Sequence, residues 1–252
     1  MLKFYNECWI MFKRQMLLMR QSPDAIITAI GIPSLLIALF VTVFGGAMDV
    51  GYYTYVDFVT FGVLIMATTQ SSGISTTASH LDMKTGMIER IRSMPVSSLA
   101  FLIGHVLAST TRNMMATICL LGMAWLLGFR PTANPIDWLA ILGIILLFML
   151  LLSWISIFIS VAVKSSEAAA GIPALLSLLA FFSSSFAPIE TLPSWLQGFA
   201  AVQPFTIVVD SLRAIAFGGY VGNSWIAVLV WCLSLIFVFQ AGSLVLFYKK
   251  LL

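Results

Sequence analysis

The sequence predicts an all-α integral membrane protein with six transmembrane helices, and three observations lead to this fold class. Of the 252 residues, 60% are hydrophobic and only 9% are charged, whereas a soluble domain has about 25% charged residues. Mean hydropathy is +1.03. Long uncharged segments recur, each with enough residues to cross the ~30 Å hydrocarbon core as a helix. This composition excludes a soluble enzyme, a nucleic-acid binder and a disordered chain.

Residues 1–23 predict an amphipathic helix and not a cleavable signal peptide, because charges interrupt them throughout and no apolar core is present. At about 100° per residue, the helix has an apolar face and a charged face. The apolar face carries Tyr5, Cys8, Trp9, Phe12, Met16 and Met19. The charged face carries Lys3, Glu7, Lys13, Arg14 and Arg20. This pattern is typical of an interfacial helix on the cytoplasmic membrane surface; the alternative is a helix packed on a partner.

Six apolar segments follow, and each is bounded by a polar or turn-forming stretch. The first is uncharged over 23 residues, about 35 Å as a helix, and contains Pro33, which we expect to kink it. The predicted spans are 25–47, 55–79, 99–127, 138–163, 168–186 and 224–247. Residues 187–223 are too broken to cross the membrane.

The placement of Lys and Arg predicts that both termini are cytoplasmic. With the N-terminus inside, ten basic residues fall in cytoplasmic segments, Arg130 and Arg213 fall outside, and Arg112 falls within a span. Such an excess of basic residues on one side sets membrane topology. Arg112 is either a functional group, because a charge in the bilayer is costly, or a residue whose long side chain reaches the cytoplasmic surface. We favour the second interpretation.

Motifs for ATP hydrolysis and for other enzyme chemistry are absent from the sequence. There is no phosphate-binding G-x-x-x-x-G-K-[ST] loop, no nucleophile elbow and no zinc-protease motif. The two histidines and three separated cysteines form no metal-binding spacing. We therefore expect no catalytic site and no metal in this chain, so that uphill transport would draw on an ion gradient or on another polypeptide.

Residues 80–98, between the second and third predicted spans, carry the clearest functional pattern. Charged side chains alternate with apolar ones at helical spacing, and Pro95 ends the helix. The apolar positions are Met83, Met87, Ile88, Ile91 and Met94. A charged loop that only fixes topology is the plain alternative.

The residue pattern of this loop resembles that of the ABC type-2 permeases, and within them the drug-export permeases of the daunorubicin-resistance type. The matching positions are Asp82, Thr85, Gly86, Glu89, Arg90, Arg92, Ser93, Met94, Pro95, Val96, Ser97 and Gly104. A second stretch matches the outer segment of the same family. Its positions are Pro188, 192–196, Pro204, Arg213, Gly218 and Gly219.

The resemblance implies a permease subunit whose loop at 80–98 is a coupling helix docked in a groove of a separate ATP-binding subunit. The implied contacts are Asp82, Gly86, Glu89, Arg90, Arg92 and Pro95. The polar break at Lys164 and Glu167 would be a second cytoplasmic contact. The implied assembly lies in a bacterial plasma membrane. It contains this chain, a second membrane subunit that is identical or paralogous, and two ATPase subunits. The ATPase subunits would bind ATP and Mg²⁺, and this chain would bind neither.

Two further sets of residues are candidates for the translocation path. Hydroxyls crowd the second half of the second span, and such side chains face other helices or water and not lipid. The candidate lining is Thr69, Gln70, Ser72 and Ser75. Residues 187–223 predict two short helices that dip into the outer leaflet, with an ion pair at i, i+3 spacing between Asp210 and Arg213. The resemblance implies an external gate at Pro193, Trp195, Pro204, Asp210 and Arg213.

We therefore expect an exporter subunit that moves a hydrophobic or amphipathic compound such as a drug, an antibiotic or a lipid. One alternative is an export permease for lipid-linked polysaccharide in the same family. Another is an ion-coupled carrier that acts alone, for which Asp57 and Arg112 are the charged candidates. An integral-membrane enzyme would need a catalytic constellation that two isolated histidines do not supply. ATPase activity that requires a second polypeptide distinguishes these functions.

Overall fold

The computed structural model describes residues 2–48, 50–51, 53–87, 97–219 and 224–251. Within these ranges the chain consists of α-helices joined by turns, without a β-strand, so the predicted all-α class is confirmed. The helices are α1 (Leu2–Arg20), α2 (Pro23–Phe44), α3 (Tyr55–Asp82), α4 (Ser98–Leu126), α5 (Pro135–Ala162), α6 (Ser166–Leu178), α7 (Ser194–Val202), α8 (Pro204–Ala216) and α9 (Ser224–Leu251). A π-helical turn at Met83–Met87 continues α3, and 3-10 turns cover Leu179–Phe182 and Ile189–Thr191.

Local sequence signals explain where these helices begin and end. The Thr54 side chain accepts a hydrogen bond from the backbone at the start of α3. Asn134 and Asp137 form a reciprocal capping box at the start of α5. Gly128 and Gly218 have positive φ angles just beyond α4 and α8, a backbone conformation that glycine adopts without steric cost.

Four of the described helices are long and apolar enough to cross a membrane. Their apolar stretches are Ile27–Phe44, Tyr55–Thr85, Pro135–Ala162 and Trp225–Lys250. α7 and α8 meet at a 71° bend and would make a fifth span if taken together. α4 and α6 are not among these four helices. α4 is long enough, with 29 residues, but carries the polar residues His105, Arg112 and Asn113. The helix that begins with α6 is apolar but too short, because it ends at Phe182. Among the described helices, length and composition thus identify four or five candidate spans of a multi-pass protein, and this criterion does not confirm the predicted six.

α3 is the central helix of the fold. In its apolar stretch 83% of the residues are buried, against 17% in those of α2 and α9. α3 contacts α2, α4, α5, α6 and α8, and α9 packs on α5. α2 and α9 therefore present most of their surface outward, where a membrane protein meets lipid or another subunit.

α1 packs along α4 with its faces rotated from the prediction. Cys8 and Met11 are buried, whereas Tyr5 and Trp9 are 68% and 55% exposed. The apolar face assigned from the sequence is thus divided between the protein and the outside. The charged face is divided too, because Glu7 and Arg14 turn towards the protein and find polar partners there.

Gly62 allows α3 to approach the turn that follows α6. A Cβ at this position would lie 2.2 Å from the carbonyl oxygen of Ser185, so the backbone would have to move. We expect Gly62→Ala to lower the free energy of unfolding by about 1–3 kcal/mol. Gly122→Ala is the matched control, because no described atom lies within 4 Å of its added Cβ. Thermal unfolding in detergent measures both variants, and equal melting temperatures would contradict the prediction.

Candidate functional site

The structure describes only the two ends of the predicted coupling loop. Four of its predicted contact residues lie outside the described part of the chain, and their docking to an ATPase subunit remains a prediction. These are Glu89, Arg90, Arg92 and Pro95. On the N-terminal side, α3 runs to Asp82 and the π-helical turn reaches Met87, with Gly86 inside it. The first part of the loop is therefore helical.

Asp82, at the end of α3, is held by α1. Arg14 donates two hydrogen bonds to the carboxylate, from Nη1 to Oδ2 at 2.7 Å and from Nη2 to Oδ1 at 3.0 Å, which makes a bidentate ion pair. Gln15 Nε2 donates to Oδ2 at 2.8 Å, and His105 Nε2 lies 3.3 Å from Oδ2. The hydrogen bond to Asp82 raises the pKa of Arg14. Asp82 was predicted to contact the ATPase subunit; the structure shows it engaged inside the chain.

α1 also holds the other end of the loop. The backbone N–H of Ser97, just before α4, donates to Glu7 Oε2 at 3.0 Å. Further along α4, a Cβ at Gly104 would lie 2.5 Å from Met11 Cβ, so the glycine allows close contact with α1. We call Glu7, Met11 and Arg14 the α1 clamp. The sequence analysis missed it, although the spacing i, i+4, i+7 places these residues on one helix face.

The predicted second cytoplasmic contact lies at the same end of the molecule. Lys164, in the break between α5 and α6, and Glu167, in the first turn of α6, are both exposed. Ser165 Oγ accepts a hydrogen bond from a backbone N–H in the same turn. His80 Nδ1 lies 3.0 Å from the carbonyl oxygen of Ser160 and joins α3 to α5. The two predicted contact regions are thus neighbours.

An open groove of 310 Å³ separates α3 from α6. Its walls are Gln70, Gly73, Ile74, Thr77, Ala170, Ala174 and Ser177. Of the four lining residues predicted from the sequence, only Gln70 faces this groove. The others are buried in the chain, where Thr69 and Ser72 donate to carbonyl oxygens of α3 and Ser75 donates to Ser109. The role of all four residues in translocation remains a prediction.

The predicted outer segment folds as two helices, with Pro193 before α7 and Pro204 at the start of α8. The predicted ion pair is confirmed, because Arg213 Nη1 donates to Asp210 Oδ1 at 2.9 Å. Trp195 is 77% exposed. A role of this segment as an external gate remains a prediction.

Arg213 does more than pair with Asp210. Its side chain is 8% exposed, and Nη2 donates to the carbonyl oxygens of Phe58 at 2.9 Å and Ser184 at 3.0 Å. The guanidinium lies 3.8 Å from the ring centroid of Phe58. Arg213 therefore ties α8 to α3 and to the turn after α6.

The two charges considered for an ion-coupled carrier have separate partners. Asp57 Oδ2 accepts from Thr54 Oγ1 at 2.6 Å, and Asp57 Oδ1 accepts from the backbone N–H of Arg130 at 3.1 Å. Arg112 donates to Ser75 Oγ. The structure does not bring Asp57 and Arg112 together as a pair.

Comparisons with known proteins agree with this architecture. The sequence pattern of the family described as ABC-2 type transporter matches residues 6–217. The chain is 26% identical over 240 residues to the daunorubicin resistance ABC transporter permease protein DrrB1 of Streptomyces coeruleorubidus. The aligned region covers 94% of this chain and 84% of that protein. The chain is 26% identical over 213 residues to a probable doxorubicin resistance ABC transporter permease protein of Mycobacterium tuberculosis, covering 82% of this chain and 75% of that protein.

Proposed function

We propose, from the premise that this chain belongs to the ABC-2 type transporter family, that it is the membrane-spanning permease subunit of an ATP-driven exporter. The chain is a multi-pass protein of the bacterial inner membrane, and its family implies association with an ATPase subunit and another membrane subunit. The observation that carries the proposal is the α1 clamp on both sides of residues 88–96, at Asp82 and at Ser97. Because both ends of this segment are held, a displacement of the ATPase subunit is transmitted to α3 and α4.

In the proposed topology the chain crosses the membrane six times with both termini in the cytoplasm. α4 and α6 supply the two spans that composition alone does not identify. α4 has 29 residues, about 43 Å of helix, and its polar residues can face other helices. α7 and α8 form a re-entrant segment in the outer leaflet, which the 71° bend between them supports.

The proposed assembly contains two copies of the ATPase subunit, which hold ATP and Mg²⁺, and a second membrane subunit. The cytoplasmic contacts comprise Gly86, Glu89, Arg90, Arg92 and Pro95 in the coupling segment, with Lys164 and Glu167 beside it. Asp82 anchors the segment to α1 instead. Support comes from the hydrogen bond between His80 and Ser160, which holds the end of α3 beside the end of α5. The groove between α3 and α6 would face the second membrane subunit and form half of the path.

The proposed substrate is a hydrophobic or amphipathic compound of the drug class. The names of the relatives refer to resistance to daunorubicin and doxorubicin. The walls of the groove support the same class, because they are mostly apolar and offer a few polar groups such as Gln70 and Thr77.

Purification in mild detergent, followed by mass spectrometry, tests the exporter assignment. We expect a polypeptide with a phosphate-binding loop to accompany the wild-type chain and to be lost from Glu89→Arg, because the reversed charge disrupts the docking surface. Glu190→Arg is the control, since it makes the same change at an exposed position of the predicted outer segment. Recovery of the chain alone in several detergents would contradict the proposal.

Filling the groove between α3 and α6 tests the proposed path. We expect Ile74→Trp to reduce ATP-driven daunorubicin efflux by roughly tenfold, because a large side chain there alters the fit of the substrate. Ile118→Trp adds the same bulk to a site on α4 that is 62% exposed and is expected to leave efflux unchanged. Efflux is measured by anthracycline fluorescence in inverted vesicles. Equal efflux from the two variants would place the path elsewhere.

A further inference from the structure

A small polar crevice lies between α1, α3 and α4, beside the ion pair of Asp82. Its walls are Gln15, Met16, Met19, Ser75, Ala78, His105, Ala108 and Arg112, and its volume is 20 Å³. Sites for drug-sized molecules are about 300–1,000 Å³, whereas about 10–15 Å³ admits one water. The crevice therefore has room for about one oxygen atom of a ligand and is distinct from the proposed path.

Arg112 enters this crevice with an incomplete set of partners. It donates to Ser75 Oγ, but its Nε is buried and has no hydrogen-bond partner. Among the described residues the ion pairs of the guanidinium groups join Arg14 to Asp82 and Arg213 to Asp210. None of the described carboxylates reaches Arg112. A half-buried guanidinium without an anion is costly, because part of its hydration is lost and one hydroxyl replaces only a share of it.

The charges around the crevice do not balance. Arg14 is paired with the Asp82 carboxylate, whereas Arg112 is not within ion-pair distance of any described carboxylate. Asp82 already accepts two hydrogen bonds from Arg14 and one from Gln15. Among the described residues, Arg112 therefore leaves one positive charge in excess at the crevice. In surroundings of low dielectric constant, this excess attracts an anion strongly.

A smaller apolar cavity of 10 Å³, which opens towards the exposed side of α2, adjoins the polar one. Its walls are Met19, Ala29, Ile30, Arg112 and Met115, so the two cavities share Met19 and Arg112. The second cavity lies where α2 meets α4, and α2 is mostly exposed. A ligand seated here would place an oxyanion at Arg112 and an apolar chain along α2.

We propose that Arg112 binds the phosphate group of an anionic membrane phospholipid. One free oxygen of the phosphodiester enters the crevice and accepts hydrogen bonds from the Arg112 guanidinium, while an acyl chain lies against Ala29, Ile30 and Met115. Phosphate diesters suit this residue because the planar guanidinium forms paired, charge-assisted hydrogen bonds with oxyanions. The inference does not depend on the exporter function.

The site is tested by adding a ligand to the full chain in a neutral detergent and measuring the melting temperature at each ligand concentration. The probes are short-chain phosphatidylglycerol and inorganic phosphate. We expect phosphatidylglycerol to raise the melting temperature of the wild type and of Arg20→Gln, which removes an exposed basic residue of α1. We expect Arg112→Gln to bind this probe roughly tenfold to a hundredfold more weakly.

Each other outcome overturns part of the proposal. An equal response of the wild type and Arg112→Gln to phosphatidylglycerol would exclude Arg112 as the receptor. If inorganic phosphate raises the melting temperature of the wild type as much as phosphatidylglycerol does, the ligand is a free oxyanion and the lipid is excluded. If Arg112→Gln does not fold, Arg112→Lys replaces it in the test. Lysine keeps the positive charge but lacks the planar guanidinium group. Unchanged affinity of this variant for phosphatidylglycerol would exclude the proposed geometry.

Discussion

Replacing Arg213 with methionine is expected to lower the free energy of unfolding by about 3–5 kcal/mol, because it removes two hydrogen bonds from a charged donor to buried carbonyl oxygens, each worth about 1.5–3 kcal/mol. Methionine keeps much of the apolar stem but cannot donate. The carbonyl oxygens of Phe58 and Ser184 would lose a charged donor, and Asp210 would lose its ion-pair partner. The contact of the guanidinium with the Phe58 ring would be lost as well.

Asp210→Asn is the matched control for this experiment. Asp210 is 46% exposed, and asparagine can still accept from Arg213 and from Ser184. An exposed ion pair contributes about 0–1 kcal/mol, so we expect a small loss. Thermal unfolding followed by tryptophan fluorescence compares the two variants. Similar losses would show that the ion pair, and not the hydrogen bonds to the two backbone carbonyls, is the main contribution of Arg213.

The helix positions of this protein were predictable because their signals are local. The third predicted span, 99–127, corresponds to α4 at Ser98–Leu126, and the last, 224–247, to α9 at Ser224–Leu251. Hydrophobic runs and proline or glycine boundaries determine these elements within a few residues of each end. The spacing of Asp210 and Arg213 likewise predicted their pair.

The faces of the helices were less predictable because they depend on distant partners. Hydroxyls on α3 were assigned to a path, but Thr69 and Ser72 bond to the carbonyl oxygens of their own helix, as Ser and Thr often do in membrane helices. Glu7 and Arg14 were assigned to a solvent-facing side of α1. Their partners, Ser97 and Asp82, are 90 and 68 positions away in the sequence, a distance that no helical period reveals.

Replacing Arg14 with aspartate is expected to reduce ATP-driven transport by roughly tenfold or more, in line with the loss of a bidentate charge-assisted pair. The variant would place two carboxylates together at the end of α3, and repulsion would separate α1 from the coupling segment. Lys13→Asp makes the same change of charge at an exposed position of α1 and should leave transport near the wild-type level. Transport is measured as daunorubicin efflux alongside ATP hydrolysis in vesicles that contain the complex.

The double variant Arg14→Asp with Asp82→Arg decides between coupling and general instability. The exchange restores opposite charges across the contact between α1 and α3, and the amide of Gln15 can accept from a guanidinium as readily as it donates to Asp82. If the clamp transmits motion from the ATPase subunit, we expect the exchange to recover much of the efflux lost in Arg14→Asp, with ATP hydrolysis and efflux rising together. Recovery of protein yield without recovery of efflux would show that the contact only stabilises the fold, since the pair would then be restored without restoring the coupling.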